Sequence, residues 1–344
     1  MISFFDVFIT VLFLLLLTIP GFILAKLKML PQSASEALSV IVLYGCQPVL
    51  IFTSFQGCSY SPEIATNMLI VAGLALLAHL LMFAVGKLVF LKWEKNDKVK
   101  TVKYLSAFSN CAFMGLPFLQ SLFTDPALQS ELVIYCAVVL AVFNVLTWTF
   151  GVYIMTGDRS QISVKKVLLN PVIIAVAISL VVFFVMQKPL VEFAAEGTPM
   201  RAVLEKLMGA PAEAGEPAKT GTLDYISNIV TPLSMFVIGI RLSNISIGQL
   251  LTDKWAYITT FMKLVVMAFL TIFLVAFLPI DATIKYTIFF LLAMPSAASG
   301  AMMAVKFGKD GDFASVCVVL STICSIVTLP LLYLFMNSVL GITL

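Results

Sequence analysis

Apolar residues in this chain arrive in blocks of about 20 or more, the length a helix needs to cross roughly 30 Å of hydrocarbon. In lipid every backbone N–H and C=O must find its partner within the protein, so such a chain folds as a bundle of spanning helices. The residues AVILMFWYC make up 61% of the chain and charged residues 11%, against about half and one quarter in a soluble domain. Ten blocks are legible, at approximately 3–25, 34–56, 65–91, 101–123, 130–156, 167–188, 222–244, 255–278, 283–306 and 312–340. The first has the apolar core of a secretory signal but carries Asp6 in place of a basic leader, and no small-x-small cleavage site follows it. It is expected to be a retained span.

Two blocks are interrupted at mid-length by a proline among small and polar residues. The first interruption runs Ser109-Asn110-Cys111-Ala112-Phe113-Met114-Gly115-Leu116-Pro117, and the second Met294-Pro295-Ser296-Ala297-Ala298-Ser299-Gly300. A proline inside a helix costs about 3 kcal/mol. At membrane depth it is tolerated where other protein or an aqueous cavity satisfies the freed backbone. Paired interruptions in the two halves of a chain point to a transporter binding site.

If the breaks face each other, Pro117 and Pro295 each suit the first position of a new half-helix. The free N–H groups and positive dipole ends of both half-helices then converge, and a carboxylate is the natural guest. The Asn110 amide can donate to a ligand oxygen, or it serves only to satisfy the broken backbone. Met114 and Gly115 belong to the same candidate site. Gly115, Ala297, Ala298 and Gly300 allow close backbone approach. Ser296 and Ser299 are open to two roles, ligand contact or helix capping. Gln47 before Pro48, and Thr231 before Pro232, either wall the pocket or satisfy a kink.

Ionisable residues within the spans are few. His79 lies mid-way along the third, where it couples a proton to transport or is a neutral imidazole bonded to a backbone carbonyl. Lys263, in the eighth, either balances the charge of an anion or snorkels to the membrane face. Arg241 reads as an interfacial anchor. The six cysteines form no C-x-x-C pair, so neither a zinc site nor a disulfide framework is expected.

Of 21 Lys and Arg residues, only Lys188, Arg201, Lys206, Lys219 and Lys285 fall outside one set of alternate connections. The Lys/Arg-rich side is cytoplasmic by the positive-inside rule, which puts both termini outside. The long connection at about 189–221 is then an external linker rich in Gly, Pro, Ala and Glu. Within it, Thr198-Pro199 opens and Gly209 closes a short amphipathic helix, expected to lie on the membrane surface or on the protein.

The halves match at a nearly constant offset: Pro48 and Phe52 with Pro232 and Phe236, Lys103-Tyr104 with Lys285-Tyr286, and Cys136, Thr147 and Met155 with Cys317, Thr328 and Met336. Five spans per half is odd, so the second copy enters from the opposite side. The expected fold is all-α, ten transmembrane helices in a 5+5 inverted repeat with crossing broken helices at spans 4 and 9. The repeats comprise residues 1–156 and 157–344.

On Asn110 through Pro117, Asn170-Pro171, Thr231-Pro232-Leu233, and the string from Met294-Pro295 through Ala304-Val305-Lys306-Phe307-Gly308 to Ser321-Thr322 and Leu329-Pro330, the chain resembles the auxin efflux carrier family. That family includes plant PIN proteins and bacterial carboxylate permeases. The resemblance implies a scaffold of spans 1, 2, 6 and 7, a moving domain of spans 3–5 and 8–10, elevator-type transport of small organic anions, and a homodimer. Many bacterial relatives carry an asparagine where this chain has Ser299, which leaves the identity of the anion open.

The expected function is therefore a secondary active transporter of a small organic anion, a carboxylate, in the cell membrane. No cofactor is expected, and coupling to H+ or Na+ is left open. Expected partners are the anion, the bilayer and a second copy of the chain. A membrane anion sensor would use the same pocket. A cation/proton antiporter is disfavoured because Asp6, Glu36, Asp224, Asp281 and the other carboxylates sit at span ends or in connections. An intramembrane enzyme is not expected: paired-Asp, G-x-S-x-G and H-E-x-x-H motifs do not occur, and one His cannot build a two-His metal site. No basic run with interleaved aromatics points to nucleic acid.

Overall fold

A computed structural model of the chain describes residues 3–341 except 32, 59, 95, 124, 210–219, 244 and 246. Lys95 and Lys219 of the charge bias, and ten residues of the expected external linker, lie outside that range. The described residues fold almost wholly as helices joined by short connections. Among the described residues, seven helices are long and apolar enough to cross a membrane: α1 (Phe4–Lys26), α2 (Ala34–Gln56), α3 (Pro62–Val89), α6 (Leu128–Thr156), α10 (Thr222–Ser243), α11 (Lys254–Ala276) and α14 (Gly311–Ser338). An eighth span is the pair α7 (Arg159–Leu168) and α8 (Pro171–Met186), bent by 47°. The remaining apolar material is shorter. It comprises α4 (Asp97–Ala107) followed by α5 (Cys111–Leu122), and α12 (Ala282–Ala293) followed by α13 (Ser299–Lys306). The short helix α9 (Pro199–Met208) lies between α8 and α10.

Carboxylates collect at span ends because they start helices there. Asp253, Asp281 and Asp310 cap α11, α12 and α14, each accepting from a backbone N–H two or three residues on. Ser3 and Asp6 close a reciprocal capping box on α1. Such caps satisfy N–H groups that have no partner in the first turn. Asn170 caps α8 in the same way, with Pro171 at the first helical position.

α1 and α10 touch backbone to backbone. A Cβ at Gly21 would run into the Phe236 carbonyl, and one at Gly239 into the Thr18 carbonyl. Bare α-carbons are what permit such an approach in a membrane. α9 closes as expected, with Thr198 at its start and Gly209, at φ 85°, at its end. Its Arg201 pairs with Glu205 at 2.6 Å and donates to the Val191 carbonyl at 2.7 Å. Met200 and Val203 remain exposed on the other face.

The interruptions differ from expectation in one respect. The chain opens at Phe108–Asn110, not at Pro117, and α5 begins at Cys111 with Asn110 at its cap position. Pro117 sits further along α5, after a wide π-type turn over Cys111–Gly115. There the Asn110 carbonyl accepts from both Met114 and Gly115. That i→i+5 pairing makes room for a ring that would otherwise clash one turn back. Pro295 likewise lies in the extended stretch, four residues before α13 starts, and does not open the half-helix.

Candidate functional site

The two opened stretches satisfy one another. Asn110 N–H donates to the Pro295 carbonyl at 2.8 Å and Ala297 N–H to the Phe108 carbonyl at 2.9 Å. Ser109 and Ser296 form an isolated antiparallel bridge. Groups left over are taken by side chains. The Leu292 carbonyl, at the end of α12, accepts from Ser109 Oγ and from Lys263 Nζ, both at 2.9 Å. Ser296 N–H donates to Ser321 Oγ at 3.1 Å. The Ala298 carbonyl accepts from Arg241 Nη1. With no water in hydrocarbon, each of these groups left alone would cost several kcal/mol.

Lys263 therefore does not snorkel. It is fully buried, and its ammonium lies against Ser109 Oγ at 2.5 Å, at the centre of the crossing. Arg241 is not an interfacial anchor either. It turns inward to the start of α13, with its second nitrogen 3.3 Å from Ser39 Oγ on α2. His79 is buried in α3, where Nδ1–H donates to the Ala75 carbonyl at 2.7 Å and the ring packs on Phe83 and Phe108. His79 does not line the cavity described below.

Beside the crossing lies a cavity of about 400 Å³, within the range of small-molecule sites. α2 contributes Glu36, Tyr44 and Gln47, the first opened stretch Ser109 and Asn110, and α6 Asn144, Thr147 and Trp148. Asn170 comes from the start of α8, and Ala297, Ser299, Met302 and Lys306 from the second opened stretch and α13. Of the residues expected at the site, Gln47, Asn110 and Ser299 line this cavity; Met114, Gly115, Pro117, Pro295 and Ser296 do not. Gly115 serves packing instead, since a Cβ there would meet Leu291 Cδ2 at 2.8 Å. Gly300 does the same against Leu105.

The polar lining divides into engaged and free groups. Asn170 Nδ2 donates to Asn144 Oδ1 at 2.9 Å, and Asn144 Nδ2 to the Leu140 carbonyl at 2.8 Å. Gln47 Nε2 and Asn110 Nδ2 are buried and have no partner among the described residues. Both residues line the cavity, Gln47 from α2 and Asn110 from the start of α5. Lys306 lies over the Trp148 ring at 4.4 Å.

A model of the family described as "Membrane transport protein" matches residues 6–166 and 159–333. The chain belongs to this family of auxin efflux carrier-like proteins. It is also 26% identical over 331 residues to an uncharacterized transporter of Methanothermobacter thermautotrophicus, a match covering 94% of this chain and 96% of that protein. The protein is accordingly a multi-pass membrane transporter.

Sequence reasoning passed over several lining residues of this transporter. Asn144 carried a signal: it is a carboxamide amid Val142-Phe143 and Val145-Leu146, and polar groups at that depth are expensive unless they have a role. Glu36 and Lys306 carried none, because side chains at span ends are ordinarily solvated or interfacial.

Proposed function

We propose that the protein is a secondary active carrier of a small organic anion of the carboxylate class, working by an elevator movement. Ten spans in a 5+5 inverted repeat follow when the seven intact helices are joined by α4/α5, α7/α8 and α12/α13. The scaffold is then α1, α2, α7/α8 and α10, and the moving domain is the rest.

One observation carries the reading. The crossing brings the N-terminal end of α5 and the start of α13 to one cavity, beside two amide donors without protein partners. Helix N-termini favour negative charge, and free N–H donors suit a carboxylate. Lys263 stands behind Ser109, a cavity residue, so its positive charge lies close to the cavity wall. A low-dielectric wall strengthens that attraction.

On that division the cavity lies between scaffold and moving domain, as a moving site requires. Side-chain hydrogen bonds across that boundary among the described residues include Asn170 to Asn144, Thr231 Oγ1 to Gln120 Oε1 at 3.4 Å, and Arg241 to Ala298. Purified protein in liposomes is expected to exchange labelled mono- or dicarboxylates. Absence of flux across a broad panel, with the protein folded and inserted, would refute the carrier. Binding without flux would leave a sensor.

A further inference from the structure

A second cavity, of about 430 Å³, opens on the flank of α3 and shares no lining residue with the first. Its two ends differ in kind. One is apolar, built from Leu80, Phe83, Phe150 and Ile154, with the Phe83 and Phe150 rings stacked at 5.5 Å. Leu80 and Phe150 are 37% and 45% exposed, on the lipid-facing side of the bundle. The other end holds Lys87, Lys100 and Lys103 against a single lining carboxylate, Glu94.

The carboxylates nearby do not neutralise this end. Glu94 lies 3.6 Å from Lys103. Asp97 lies 3.1 Å from Lys100 but 2.6 Å from Lys309, so two lysines share it. Lys87 has no ion-pair partner among the described residues. Arg159, above the Tyr153 ring at 5.7 Å, adds a further positive charge at the rim. Lys100 and Lys103 are only 25% and 15% exposed, so their charges are screened less than those of freely solvated lysines.

A basic end joined to a lipid-exposed apolar wall matches a molecule with an anionic head and a hydrocarbon tail. The Lys-rich side is the cytoplasmic one by charge bias, where leaflets carry anionic lipid. A free phosphate would leave the apolar wall empty, and a neutral lipid would leave the lysines unmatched. We propose that this groove binds an anionic phospholipid of the cytoplasmic leaflet, its phosphate among Lys87, Lys100 and Lys103 and one acyl chain along Phe83, Phe150 and Ile154. The inference does not depend on which anion the carrier moves.

Native mass spectrometry of the purified full chain tests it, with phosphatidylglycerol, phosphatidylcholine and glycerol 3-phosphate as probes. Phosphatidylglycerol should be retained over phosphatidylcholine. The pair Lys87→Gln and Lys103→Gln should weaken that retention about fivefold per lysine, while Lys87→Arg with Lys103→Arg should keep it. Equal retention of both lipids, or no change in the glutamine pair, would overturn the proposal. So would an equal loss from Lys92→Gln with Lys165→Gln, which would mean diffuse surface charge. Competition by glycerol 3-phosphate alone would make it a phosphate site and equally overturn it.

Discussion

The backbone of Asn110 is committed on both sides, its N–H to Pro295 and its carbonyl to Met114 and Gly115, while its amide nitrogen is free beside the cavity. Asn110→Ala removes that donor and leaves the crossing paired. A lost hydrogen bond to a charged partner is worth about 1.5–3 kcal/mol, so the KM for carboxylate uptake should rise about tenfold or more with insertion unchanged. Unaltered uptake at matched expression would count against the role. Lys263→Met tests the charge behind it. The Leu292 carbonyl keeps its bond from Ser109 Oγ, and Met fills a similar volume, so the fold should survive. Binding of the carboxylate should weaken, while binding of its neutral amide analogue should not. Thermal shifts with both ligands separate the cases, and equal losses would reduce Lys263 to a structural peg. At this scale the sequence was only partly legible. Pro117 and Pro295 marked the interrupted spans, and the second opens at Pro295 itself, yet the first opens about two turns before Pro117, because a proline says where a helix is costly and not where it parts. Arg241 looked like an anchor because chain position reveals depth but not direction.

Among the described residues, four elements carry a wide π-type turn: Ile41–Cys46 in α2, Cys111–Gly115 in α5, Thr147–Gly151 in α6 and Met262–Met267 in α11. Gln47 follows the first, Asn110 precedes the second, Thr147 and Trp148 open the third, and Lys263 lies in the fourth. Each turn re-aims the residues at its edge, which is how apolar helices direct a few polar groups to one spot. No local propensity encodes such a turn, so this convergence could not be read from composition or spacing. The Arg241 contact from α10 to the start of α13 belongs to the same scale. If α10 is scaffold and α13 moves, that bond breaks in every cycle. Arg241→Gln should change the turnover rate with KM within about twofold, as expected where a motion and not ligand contact is altered. Spin-label distances between α10 and α14 should shift in the variant; an unchanged distribution together with unchanged turnover would exclude the tie.

Over the whole molecule, the helical class, the interrupted pairs and the charge asymmetry were legible because lipid leaves the chain few options. The division into scaffold and moving domain came from the family resemblance and not from composition or spacing, since it depends on which helices pack and which slide. Orientation remains testable directly. In a background lacking Cys58, Lys188→Cys should react with an impermeant thiol reagent on intact cells and Lys165→Cys should not. The reverse pattern would invert the protein and move the lysine groove to the other leaflet.

The pairing of Ser109 with Leu292 spans 183 residues. At roughly 5–20 residues per second, the ribosome needs about 10–40 s to supply the second partner after the first has entered the bilayer. Through that interval the newborn amino-terminal half holds unmet polar groups in oil. It must linger at the interface or beside an insertase until the later segment emerges, so severed halves made from separate messages should be degraded unless they meet.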